Sequence, residues 1–182
     1  LFMAGNSAAF GNAVHAAGAS HLLFDTVLMR QAALDGEPLG TTGIVIADTA
    51  TAEVRDSSLM TWEPMMSVLR LEGTAHARID QTLIANFAGG ASFQPTGITT
   101  EAGACNASAG SLSNTVLALF PVQTSATAFS GTDPAEPDAD SGLIDACSGS
   151  HLLPGARDLY GRTRPVVAVD GRIVAIGRLK NL

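Results

Sequence analysis

Residues 56–60 read DSSLM, and the pattern stands three more times in the chain: DTVLM at 25–29, DQTLI at 80–84 and NTVLA at 114–118. An Asp or Asn, two residues drawn from Thr, Val, Ser and Gln, an unchanging Leu and then usually a bulky apolar side chain describe a short buried strand entered from a corner. Taking Asp25, Asp56, Asp80 and Asn114 as equivalent gives spacings of 31, 24 and 34 residues, each close to one solenoid turn. Asp and Asn suit such corners because they tolerate left-handed backbone and their side chains hydrogen-bond nearby main chain.

Ahead of two of these corners lies a second β-patterned stretch, GIVIADTATAEVRD at 43–56 and SVLRLEGTAHARID at 67–80. Apolar residues alternate in both: Ile44 with Ile46 and Ala52 with Val54, then Val68, Leu69 and Leu71 with one slip, and Ala77 with Ile79. The two stretches disagree by one residue. Matching Asp56 to Asp80 requires a shift of 24, whereas matching Val54 to Ile79 requires 25. A one-residue slip swaps faces, so one of these turns is expected to carry an extra residue. Residues 19–34, ASHLLFDTVLMRQAAL, can be drawn as a helix with Leu23, Val27 and Met29 or Leu34 on one face. The echo of DTVLM in two β-patterned segments assigns them to strand instead, with a short helix or loop over AFGNAVHAAG at 9–18.

One such turn cannot bury its own apolar face, but stacked turns can, with like residues about 4.8 Å above one another. The expected fold is therefore all-β: a right-handed parallel β-helix of about four to six coils, a rod of roughly 20–30 Å. Residues 1–120 supply the coils. Residues 121–142, with several Pro, Ser, Thr and acidic residues, read as an exposed loop over one end. Residues 143–182 form a capping segment of the same domain, in which VVAVDGRIVAIG at 166–177 alternates around Asp170-Gly171, a dipeptide favoured in type I′ hairpin turns.

Composition narrows the partners. The chain has 182 residues, 46% hydrophobic, only 15% charged and 5% aromatic, with 19 Gly, so it buries a core built on small side chains. A net charge of −7 with no Lys/Arg cluster opposes nucleic-acid binding and attachment to an anionic membrane, and no run approaches the ~18 apolar residues of a membrane span. Cys105 and Cys147 lie 42 positions apart with no C-x-x-C, which leaves two buried thiols or one disulfide. A disulfide closing that loop would contribute up to about 4 kcal/mol.

The segments Leu143 to Ala146 (LIDA), Arg157 to Pro165 (RDLYGRTRP) and Val169 to Gly177 (VDGRIVAIG) resemble the C-terminal end of bacterial secreted right-handed β-helix surface proteins. These are the pectate-lyase-like proteins with "choice-of-anchor" or polymorphic outer-membrane-type repeats. The ending VAIGRLKN departs from that group in lacking an Asp before Ile-Gly and an acidic residue after it. The resemblance implies a β-helix located outside the cytoplasm, secreted or on the cell surface, and a chain that is the C-terminal part of a longer one. It implies no activity, because the fold hosts lyases, hydrolases, adhesins and stalks alike.

Candidate chemistry is sparse. A polysaccharide lyase needs acidic residues holding Ca²⁺ and an Arg to take a sugar proton. Asp56 and Asp80, stacked in neighbouring turns with Arg55 and Arg78 beside them, are the residues that would serve; corner carboxylates with solvated Arg partners are equally ordinary in any β-helix. His15, His21, His76 and His151 show no metal-ligand spacing. Ser108, Ser111 and Ser113 stand in no G-x-S-x-G, and no phosphate-binding Gly motif occurs. Trp62, the single tryptophan, with Glu63 and the pair Met65-Met66, is either a sugar-stacking patch or a cover over an apolar corner.

The sequence thus predicts a non-enzymatic structural, adhesive or glycan-binding protein without cofactor or metal. A Ca²⁺-dependent carbohydrate-active enzyme, lyase or glycoside hydrolase, is the alternative. Expected partners are a polysaccharide or cell-surface component and, through unpaired strand edges at the coil ends, further copies of the chain.

Overall fold

The structure is a computed structural model that describes residues 2–3, 14–25, 27–31, 42–61, 67–86, 96–101, 106–110, 119–120, 122–124, 166–167 and 173–174. After β1 (Phe2–Met3), three strands make each coil: β2 (Val14–Ala16), β3 (His21–Asp25) and β4 (Leu28–Gln31) in the first. β5 (Thr42–Ile46), β6 (Thr51–Arg55) and β7 (Ser58–Thr61) make the second, and β8 (Ser67–Leu71), β9 (His76–Asp80) and β10 (Leu83–Asn86) the third. β11 (Ile98–Thr99), β12 (Ala107–Gly110) and β13 (Val122–Thr124) continue the stack. A first sheet holds β2-β5-β8, a second β3-β6-β9-β11 and a third β1-β4-β7-β10-β12-β13.

Every pairing in the three sheets is parallel. The repeating strand order in three parallel sheets matches the right-handed parallel β-helix that the sequence predicts. The segment 19–34, for which a helix can be drawn, holds strands β3 and β4, and β2 occupies part of the stretch 9–18 assigned to a short helix or loop. β13 adds a strand within 121–142, the segment expected as loop. Asn114, Leu117 and the remainder of that loop lie outside the described residues.

The ladders correct the register. His21 pairs with Thr51 and Thr51 with His76, while Leu28 pairs with Ser58 and Ser58 with Leu83. The first sheet keeps the same offsets, Val14 with Ile44 and Ile44 with Leu69. The Val54–Ile79 match is therefore right, and none of these turns carries an extra residue. Asp25 and Asp80 both pair with Arg55; Asp56 falls one place later, and Leu59 stands level with Met29 and Ile84 rather than with Leu28 and Leu83. The interior decides this. Rows Phe24–Val54–Ile79 and Met29–Leu59–Ile84 are buried, and a slip of one would turn each row outward. Full burial of such a side chain contributes about 1.5–3 kcal/mol, more than the corner letters can outweigh.

Two corners hold each coil. Between the first and second sheets, Gly18, Asp48 and Gly73 occupy equivalent places with φ of 71°, 61° and 67°. Asp48 Oδ2 accepts from the Gly18 N–H at 2.9 Å, and Thr74 donates to the Asp48 carbonyl through its N–H at 2.8 Å and its hydroxyl at 2.9 Å. A Cβ on Gly73 would come within 3.1 Å of that carbonyl oxygen. Between the second and third sheets the left-handed residues are Asp56 and Gln81, φ 48° and 51°. Behind them Ser57, Thr82 and Asn106 are fully buried. Each side chain reaches across to the coil before it: Ser57 Oγ accepts from the Val27 N–H at 3.1 Å, Thr82 Oγ1 donates to the Val54 carbonyl at 3.3 Å, and Asn106 Nδ2 donates to the Ile79 carbonyl at 2.9 Å. The turn takes these main-chain groups out of the ladders, and the buried polar side chains partner them.

At the C-terminal end β14 (Val166–Val167) pairs antiparallel with β15 (Ile173–Val174). Val167 faces Ile173, so the pairing centres on Asp170 and leaves an odd number of residues between the strands. A two-residue Asp-Gly type I′ turn requires an even number; the hairpin forms in a register one residue from that turn.

Candidate functional site

The three sheets differ in what their outer faces offer. Among the described side chains of β4, β7, β10 and β12, Leu28, Met29, Ser58, Leu59, Met60, Leu83, Ile84, Ala85, Ala107, Ser108 and Ala109 are buried, on both sides of the third sheet, while on the outer side of the first sheet a buried Val45 stands between an exposed His15 and a half-buried Arg70. The second sheet presents its outer side to solvent. Alternation sends Leu22, Phe24, Ala52, Val54, Ala77 and Ile79 inward, and the residues between them outward.

The parallel register sorts the outward residues into rows along the coil axis. The first row is His21, Thr51 and His76; the second is Leu23, Glu53, Arg78 and Thr99. The third is Asp25, Arg55 and Asp80, with Glu101 following β11. Neighbours within a row stand about 4.8 Å apart and the rows about 6.6 Å apart.

Its charges are matched locally. Arg55 donates through Nε at 3.2 Å and Nη2 at 2.9 Å to Asp25 Oδ2 on the coil before it. Arg78 donates to Asp80 Oδ2 on its own strand and, at 2.6 Å, to Glu101 Oε2. Asp80 Oδ1 accepts from the Glu101 N–H at 2.7 Å and from the Thr100 hydroxyl at 3.2 Å. His21 Nδ1 and Thr51 Oγ1 are 2.8 Å apart. The hydrogen bond and charge of Asp80, with Glu101 adding to them, raise the Arg78 guanidinium above its already high pKa.

Of the residues expected to carry lyase chemistry, Arg55, Arg78 and Asp80 come together on this face. Asp56 does not stack on Asp80; it sits at the corner, where its N–H donates to the Asp80 carbonyl at 3.2 Å. Among the described residues no group of three or more His, Cys, Asp and Glu is placed to hold a metal ion. Trp62, Glu63, Cys105 and Cys147 lie outside the described residues, as does His151. Sequence reading missed His21, Thr51, His76 and Glu101 as members of the face. For the first three the signal is the offset that all three sheets share at each coil step, 30 residues and then 25, which puts His21, Thr51 and His76 in one row.

No described helix is long and apolar enough to cross a membrane. Compared with family models, curated proteins and solved structures, the chain matches none of them.

Proposed function

We propose that this β-helix works outside the cytoplasm as a structural and adhesive element, and that the outer face of its second sheet is where a polysaccharide or another cell-surface component is met. The observation that carries the reading is the pairing of both arginines with carboxylates of their own face. A guanidinium tied to two carboxylates stays protonated and offers spare N–H donors to sugar hydroxyls, while Thr51, Thr99 and the two histidines add further hydrogen-bonding groups. The resemblance of segments 143–146, 157–165 and 169–177 to secreted β-helix surface proteins supports the location.

A second reading, a Ca²⁺-dependent polysaccharide lyase, is favoured by the convergence of Arg55, Arg78 and Asp80 on one exposed face. The electrostatics oppose it. A base that takes a sugar proton needs a lowered pKa, and Asp80 and Glu101 push Arg78 the other way.

Titration with neutral and acidic polysaccharides, with and without Ca²⁺, separates the two. Binding followed by calorimetry, weakened by Arg78→Ala and without growth of unsaturated-uronate absorbance, is the expected result. Ca²⁺-dependent product formation abolished by Arg78→Ala would replace the adhesive reading with the lyase.

A further inference from the structure

Glu53 stands in the middle of the second sheet's outer face. The ladder puts Leu23 level with it on the coil before and Arg78 on the coil after, and alternation places Thr51 and Arg55 on either side of it along β6. Two guanidiniums therefore flank this carboxylate, and neither pairs with it. Arg55 turns back to Asp25, and Arg78 turns to Asp80 and Glu101. Among the described residues, no ion pair or side-chain hydrogen bond reaches the half-buried Glu53 carboxylate.

The charges of the face do not balance. Asp25, Glu53, Asp80 and Glu101 stand against Arg55 and Arg78, a net charge of −2 on a chain that carries −7 in all. A polyuronate or sulfated chain laid along these rows would be repelled, and its anions would compete for guanidiniums already held by Asp25, Asp80 and Glu101. Beside Glu53 lies Leu23, 52% exposed and the one large apolar side chain exposed among the described residues. An apolar side chain next to an unpaired carboxylate matches a ring that offers C–H groups on one face and an ammonium at its edge.

We propose that the glycan met by this face carries free amino groups, with Glu53 taking the ammonium and Leu23 lying against the sugar ring. The assignment rests on the reading of the second sheet's outer face as the glycan-contacting surface; it adds the class of sugar and the residue that selects it. A lysine side chain also joins an apolar stem to an ammonium. It has no hydroxyls for the spare N–H donors of Arg55 and Arg78, and those donors favour the sugar.

The test titrates the full chain at neutral pH with glucosamine oligomers, their fully N-acetylated counterparts of the same length, oligogalacturonate and a lysine oligomer. Acetylation removes the charge and keeps the ring, so it isolates the Glu53 contact. An exposed carboxylate–ammonium pair gives up to about fivefold in affinity. The amino oligomer is therefore expected to bind about two- to fivefold tighter than the acetylated one, with oligogalacturonate weakest. The preference should vanish in Glu53→Gln and persist in Glu72→Gln, which removes the same charge from the corner after β8. Equal binding of the amino and acetylated oligomers, or a preference that survives Glu53→Gln, overturns the proposal and leaves the glycan-contacting face standing. Binding of neither oligomer overturns that face and the proposal with it. A lysine oligomer bound as tightly as the amino oligomer, with the same dependence on Glu53, assigns the face to a peptide and overturns the sugar.

Discussion

Asn106→Ala removes the amide that closes the corner above the third coil. Asn106 Oδ1 accepts from the Thr82 N–H at 3.0 Å, and Nδ2 donates to the Ile79 carbonyl at 2.9 Å, to Thr100 Oγ1 at 3.0 Å and to the Leu119 carbonyl at 3.3 Å. The side chain is fully buried, so truncation strands at least the Thr82 N–H and the Ile79 carbonyl. Each buried backbone group left without a partner costs about 1–3 kcal/mol. A loss of about 3–5 kcal/mol is expected, a large fraction of the 5–15 kcal/mol that holds a typical domain. Urea unfolding with the slope checked for two-state behaviour measures it globally. Amide exchange at Thr82 measures it locally, where about 3 kcal/mol appears as roughly 100-fold faster exchange. Asn106→Asp separates polarity from volume: it keeps an acceptor for Thr82 but sets a carboxylate oxygen against two carbonyls, so it should be at least as damaging as Ala. Both variants within about 1 kcal/mol of the parent, with Thr82 still protected, would refute the account, because water or a shifted turn would then be replacing the amide.

The remaining expectations are smaller or serve as contrasts. The Asp25 and Arg55 side chains are each 43% exposed, so their coupling in a double-mutant cycle should be about 0.2–1 kcal/mol and shrink with salt. Gly73→Ala should lower the melting temperature more than Gly18→Ala. Both glycines have positive φ, but a Cβ at 73 meets the Asp48 carbonyl whereas one at 18 meets nothing within 4 Å. Ile79→Ala, in the middle of the second sheet's inner row, should cost about 2–5 kcal/mol. The raised pKa of Arg78 means that whatever stability it contributes is fully present below its unfolded-state pKa and lost only as pH climbs through the folded value in strong alkali. Arg78→Gln should therefore leave the shape of the stability profile from mildly acid to mildly alkaline pH unchanged.

The fold was legible because strands that cannot bury themselves must repeat, and Ile44/Ile46, Val54 and Ile79 repeat with period two ahead of each corner. The corner letters misled by one place. Asp56 resembles Asp25 and Asp80 in type, yet Arg55 stands level with them, since the ladder answers to the inward rows and the outward letter is free to vary. Gln81, left-handed at φ 51° and buried, carries no signature that would mark it as a corner. Leu28, Met60 and Leu83 make the outer face of the third sheet a buried surface, and the runs SLM and LIA, apolar on both parities, are the mark of a strand covered on both sides.

Sequence by itself determined the class of the molecule: local alternation, corner chemistry and a repeat near one solenoid turn are short-range properties that a chain carries wherever it is placed. Tertiary structure decided the register, the partners of buried Ser57, Thr82 and Asn106, and which outer rows face solvent. Those depend on residues roughly one coil apart meeting at van der Waals and hydrogen-bond distance, where a one-place shift exchanges inside for outside. The arrival of Glu101 is of the second kind: Arg78 and Asp80 lie two apart on one strand, and only the coil brings Glu101 to them.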